Sequence, residues 1–161
     1  MMESVEQFLA HAVRIERDAA ERFAQLAEAM EAYGNNEVAR LFRQLAHYSR
    51  LHLNDARMRS GYRNIPDLKQ DEFVWPDLES PETAAIWAAD PLIGREEALD
   101  IALQAETAGL DYYSGILATT TDPEIKAFAK EFAEEEAEHV AELRKWIAAH
   151  MAGDPMPALA I

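Results

Sequence analysis

The second half of this sequence repeats the first. Glu16, Phe23 and Leu26 recur as Glu106, Tyr113 and Ile116 at an offset of 90, and Glu37, Val38, Leu41, Leu45, Ala46 and His52 recur as Glu124, Ile125, Phe128, Phe132, Ala133 and His139 at an offset of 87. The difference of three falls between Leu26 and Glu37, where the first copy has the longer turn, so the helix faces keep their phase in both copies. The chain is therefore two copies of one helix pair. A helix pair hides its apolar stripe by packing against another pair, which makes an all-α four-helix bundle the expected fold, with matching residues meeting at a pseudo-twofold axis.

Local signals set the expected spans. Ser4 with Gln7 three residues on reads as a capping box, and Phe8, Ala12, Ala19, Phe23 and Met30 then share one face up to Tyr33-Gly34. A second helix starts after Asn35, carries Val38, Leu41, Phe42, Leu45, Ala46, Leu53 and Ala56 inward, and stops at Ser60-Gly61. After Gly94 a third presents Ala98, Ala102, Tyr113 and Ile116, and Asp122-Pro123-Glu124 caps a fourth with proline at its first position. The expected pairs are 4–33 with 36–60 and 95–119 with 123–151, within one four-helix-bundle domain spanning 1–152. Residues 61–94 hold Pro66, Pro76, Pro81 and Pro91 and read as one long crossover between helices two and three, with a short helix after Ser80-Pro81. Residues 153–161 read as a C-terminal tail.

Composition narrows the partners. A formal charge of -15 repels phosphate backbones and anionic lipid, so nucleic acid and membrane surfaces are excluded as partners and cations are favoured. With no cysteine, disulfides, thiolate chemistry and Cys-bound metals are excluded, leaving oxygen and imidazole as ligands. No apolar run reaches the roughly 20 residues that span a bilayer, and the first residues lack the regions of a signal peptide, so a soluble, cytoplasmic protein is expected.

The functional signal lies in polar residues within the apolar stripes. Glu16 sits between Ala12 and Ala19, Glu106 follows Ala102, and Glu136 and His139 lie between Phe132 and Leu143. A buried carboxylate is costly unless neutralised, paired or bound to a metal, and three of them with His52 and His139, drawn from four helices, fit a metal best. Glu136-x-x-His139 places both groups on one helix face. Its twin reads Ser49-x-x-His52.

Over residues 3–150 the chain resembles the rubrerythrin-type branch of the ferritin-like superfamily, including the runs Glu37-Val38-Ala39-Arg40-Leu41-Phe42 and Phe132-Ala133-Glu134-Glu135-Glu136-Ala137-Glu138-His139. That resemblance implies metal ligands at Glu16, His52, Glu106, Glu136 and His139, and a nonhaem iron centre that reduces peroxide or dioxygen. Ser49 departs from the family pattern, which has Glu there. Three carboxylates leave two divalent ions under-neutralised. The expected outcomes are one tightly held ion, two with an open exchangeable position, or a redox-silent site holding zinc or a single iron for storage, sensing or structure. The rubredoxin module is missing too, so electrons would come from a separate donor.

Other residues are assigned to packing or surface. His11, His47 and His150 lie off the ligand stripe and are expected on the surface, while Glu134, Glu135 and Glu138 form a solvated face. Tyr33, Tyr48 and Tyr112 are read as packing; Tyr113, on the stripe, is the tyrosine expected behind the ligands together with Ser49. Trp75 and Trp87 are expected to cover the bundle or a subunit contact, and a symmetric homodimer is the expected assembly.

Overall fold

The computed structural model describes residues 4–61, 63–76, 80–81 and 92–154. Four long helices occupy them: α1 (Val5–Ala32), α2 (Asn36–Arg59), α3 (Arg95–Thr119) and α4 (Pro123–Met151). No strand occurs among the described residues. The helix after Ser80-Pro81, Trp87 and residues 155–161 of the tail lie outside them.

The helix ends follow their local chemistry. The Ser4 side chain accepts the Gln7 backbone N–H at 3.2 Å, and Asp122 Oδ1 accepts those of Glu124 and Ile125 at 2.8 and 3.3 Å, so each cap satisfies N–H groups that the first turn leaves open. Gly34 adopts φ 79° and Gly61 φ 60°, left-handed turns that end α1 and α2. Asn35 does not cap α2 with its side chain; its amide donates instead to the Ile93 carbonyl at 2.7 Å, fastening the α1–α2 turn to the chain entering α3.

Helix α1 packs along α2 and α3 along α4, and the two pairs meet through α2 with α3 and α1 with α4. The apolar interior is divided in two. One cluster joins Phe23, Met30, Phe42, Leu45, Leu99 and Trp146; the other joins Phe8, Ile15, Tyr113, Ile125, Ala129 and Phe132. On each helix the polar stripe residues fall where one cluster gives way to the other: between Ile15 and Ala19, Ala46 and Ala56, Ala105 and Tyr112, Ala133 and Leu143. This waist holds the candidate site.

The crossover clasps α1 through His11, which corrects the surface expectation, since His11 is buried. It follows Phe8 by three residues and precedes Ile15 by four, so it shares their inward face. Its Nδ1–H donates to the Gln7 carbonyl at 2.7 Å, Nε2 accepts the Val74 backbone N–H at 3.0 Å, and the rings of Phe73 and Trp75 stand edge-on to it. These bonds require the neutral ring. Burial pulls the imidazole below its usual pKa, against the opposing effect of the Gln7 carbonyl. A depressed histidine pKa means that the unfolded chain binds the proton more readily, so this contribution is complete above about pH 6.5 and declines as pH falls towards the folded value. His11→Phe is expected to lose about 1–3 kcal/mol at pH 7 by leaving the Val74 N–H unpaired. It should also lose less stability than the parent between pH 7 and 5, measured by urea midpoints; equal pH slopes would refute the clasp.

Candidate metal centre

Glu16, Glu106 and Glu136 are 6%, 8% and 2% exposed, although each is a carboxylate. His139 Nδ1 lies 3.3 Å from Glu106 Oε2 and 3.5 Å from Glu136 Oε2. Glu106, Glu136 and His139 each offer a ligand atom within 4.8 Å of the others, a grouping that could hold one ion. The His52 ring stacks on His139, centroids 4.0 Å apart and planes inclined by 11°. Positions matched by the repeat thus meet face to face, as the pseudo-twofold requires. Glu16 lies outside the tight trio but hydrogen-bonds with Glu136 and is influenced by Glu106.

The electrostatics are those of a site crowded with carboxylates. Burial raises Glu16 well above the usual carboxylate range, and the charges of Glu136 and Glu106 push it further, with His139 only partly opposing them. Burial would raise Glu106 too, but hydrogen bonds with Glu136 and His139 outweigh it and hold the group at about 2. Burial and His139 lower His52 to about 4, which keeps that ring neutral and its lone pair free for a Lewis acid. For His139, burial works downward, yet the hydrogen bond to Glu106 and the carboxylate field raise it. Three buried carboxyl groups facing two imidazoles, with Glu16 pushed up first by burial and then by Glu136 and Glu106, match the hard-oxygen and imidazole donor set of iron or zinc. A bound cation would remove the repulsion that raises Glu16.

Ser49 is 3% exposed, one helical turn before His52 on the same face. Tyr113 packs among Phe8, Tyr112 and Phe132 in the apolar cluster beside the waist. His47 is exposed and His150 partly so. Of the acidic run, Glu136 is buried, Glu134 and Glu138 are exposed, and Glu135 pairs with Arg59. Arg59 also pairs with Asp55 at 3.0 Å and Glu131 at 3.2 Å and stands over the Phe132 ring, joining α2 to α4 beside the site. Trp75 covers the bundle against His11 and Tyr112.

The sequence reading missed Tyr48. Its ring lies 5.3 Å from His52 and 5.4 Å from His139, touching both imidazoles. The available signal was its place four residues before His52, one turn along the same face. Tyr48 also borders an open cleft of about 550 Å³ shared with His52, His139, Asp55, Glu135, Glu138 and Glu142, through which solvent reaches the imidazoles.

Fold and site together define an all-α four-helix bundle with a buried carboxylate–histidine cluster at its waist. The chain is 35% identical to the Magnetospirillum magnetotacticum MS-1 protein known from the crystal structure of COG1633, an uncharacterized conserved protein, with a TM-score of 0.66 covering 98% of this chain and 99% of that one. It belongs to the COG1633 family. No protein-family profile matches the chain, and no curated protein matches it.

Glu16→Gln separates the metal role from the packing role. A carboxyl whose folded pKa is raised contributes stability at low pH that is lost as pH rises from its unfolded value through the folded one. The amide does not titrate, so the metal-free variant is expected to be more stable than the parent at pH 8 by about 1–3 kcal/mol, with the difference shrinking towards pH 4. The same variant should lose most of the rise in Tm produced by added metal. Calorimetry with and without chelator checks both; a variant less stable at pH 8 would show that Glu16 is a structural partner.

Proposed function

We propose that this protein is a rubrerythrin-like nonhaem iron protein that reduces peroxide or dioxygen. The observation that carries this reading is the cluster of buried carboxylates and stacked imidazoles at repeat-related positions of all four helices. Glu16, His52, Glu106, Glu136 and His139 would hold the metal. Iron bound there would supply one-electron redox chemistry to an oxidant. The chain's own part is to exclude bulk water with the two flanking apolar clusters, to orient His139 through Glu106, and to admit small molecules beside Tyr48. With no cysteine, electrons come from a separate donor. We further propose a cytoplasmic homodimer; no described helix is long and apolar enough to cross a membrane.

A second reading, a redox-silent protein holding zinc or one iron, is favoured by Ser49 and by the tight grouping of only Glu106, Glu136 and His139. Elemental analysis after anaerobic Fe(II) loading, followed by peroxide or oxygen, separates the two. About two irons per chain that oxidise promptly support the oxidoreductase, whereas one ion that leaves Fe(II) unoxidised supports the binding protein. In the latter case Ser49→Glu is expected to raise stoichiometry from about one to about two ions by supplying the missing carboxylate.

A further inference from the structure

The repeat builds two grooves against the crossover, one along α1 and one between α1 and α3. Glu21, Arg22 and Gln25 line the first, and their counterparts at the offset of 90, Asp111, Tyr112 and Gly115, line the second. The first groove holds a guanidinium of the chain itself. Arg14 Nε–H donates to Asp18 at 3.0 Å and its Nη2 to the Gln70 side-chain oxygen at 2.9 Å, and its planar head stands over the Phe73 ring, 5.3 Å from the centroid. Carboxylate, amide oxygen and aromatic face together make a receptor for a flat cation.

The second groove offers similar parts without a basic side chain. It measures about 600 Å³, within the range of small-molecule sites. Trp75 lies parallel to Phe73, planes 4° apart, and lines the groove with Tyr112, Ile116 and Val74, the last 68% exposed. The charged groups of the wall are the carboxylates of Glu72 and Asp111; no lysine or arginine lines it, and the His11 ring is neutral through its bonds to Gln7 and Val74. Among the described residues Asp111 makes no ion pair, and Glu72 accepts the Lys69 backbone N–H at 3.0 Å. Asp18, Glu31, Glu37 and Glu124, by contrast, are each met by an arginine. Gly115 keeps the groove open. It sits inside α3, one turn from both Asp111 and Thr119, where glycine weakens a helix. A Cβ there would meet nothing within 4 Å, so no packing contact demands glycine.

We infer that the second groove binds a small organic cation with a flat apolar body, its positive group on Asp111 and Glu72 and its body against Trp75. Arg14 on Phe73, flanked by Asp18, is the chain's own template for that contact. An anion would meet two carboxylates with no basic side chain beside them, and a bare metal ion would leave the aromatic wall unused. The groove shares no residue with the metal centre, so the inference stands apart from the oxidoreductase reading.

Benzamidine, a flat aromatic cation, is titrated into the full chain labelled with nitrogen-15, with neutral benzamide and anionic benzoate as controls of the same shape. Nuclear magnetic resonance follows the Trp75 indole N–H, assigned by its disappearance in Trp75→Phe, and the Gly115 backbone N–H. Benzamidine is expected to shift both signals saturably, and both controls to bind at least about tenfold more weakly. Asp111→Asn should weaken benzamidine about tenfold, the loss of one charge-assisted hydrogen bond, and leave benzamide unchanged. Gly115→Leu should abolish the saturable Trp75 shift while keeping or raising Tm, because leucine favours the helix and fills the groove. No saturable shift with benzamidine would overturn the inference, as would equal affinity for benzamide or unimpaired binding by Gly115→Leu. Shifts centred on His52 and its cleft would also overturn it, by placing the cation there instead.

Discussion

Three carboxylates enclosed between two apolar clusters set the terms for the rest of this bundle. Each would cost several kcal/mol if buried charged and alone, and the described neighbours of Glu16 that act on it include two more acids. The protein meets this with imidazole and with a shifted acid: His139 rests on Glu106 and Glu136, and burial with its acidic neighbours raises the Glu16 carboxyl well above the usual range. Such a waist tolerates little disorder, because a rotated helix would strand a charge in an apolar layer. Large side chains on either side, Phe23, Phe42 and Trp146 above and Phe8, Tyr113 and Phe132 below, each bury surface on the order of 1.5–3 kcal/mol and hold the phase of the four helices.

The repeat keeps the placement of its matched residues and breaks their chemistry. His52 and His139 stack on each other, and Glu16 and Glu106 occupy matched positions, yet Ser49 stands opposite Glu136 and Arg59 opposite Trp146. The second pair therefore carries more acid at the waist, and the tight ligand grouping of Glu106, Glu136 and His139 comes wholly from it. The first pair contributes an imidazole and a buried hydroxyl where its twin has a carboxylate. Symmetry positions the site, and the departures from symmetry decide its charge.

Much of this was legible because helices are local. Ser4, Gly34, Gly61 and Asp122-Pro123 mark ends through groups within a few residues, and the phase of Glu16, Glu106, Glu136 and His139 against Phe and Leu neighbours follows from the 3.6-residue period alone. The phase of His11 with Phe8 and Ile15 is local, but the groups that satisfy a buried imidazole there lie far along the chain, in the Val74 N–H and the Phe73 and Trp75 rings of the crossover. Tyr48 was passed over for a related reason: its importance comes from His139 on another helix as much as from His52 on its own. Asn35 likewise serves a contact with Ile93 that no local pattern announces. Contacts between distant segments are where a single sequence says least.

On the proposed reading, the charge of the cleft bears on what the site can accept. Asp55, Glu135, Glu138 and Glu142 line the approach on a chain of net charge -15, and a cleft of one sign concentrates its counter-ions and repels its own kind. Divalent cations are drawn towards His52 and His139, which helps load the centre. Anionic oxidants and phosphate-bearing molecules meet a barrier at the same rim. Hydrogen peroxide and dioxygen are uncharged at neutral pH and pass without penalty, so the field that gathers metal also selects small neutral oxidants. Salt at 0.1 M screens both effects beyond about 10 Å, so loading and selectivity fall together as ionic strength rises.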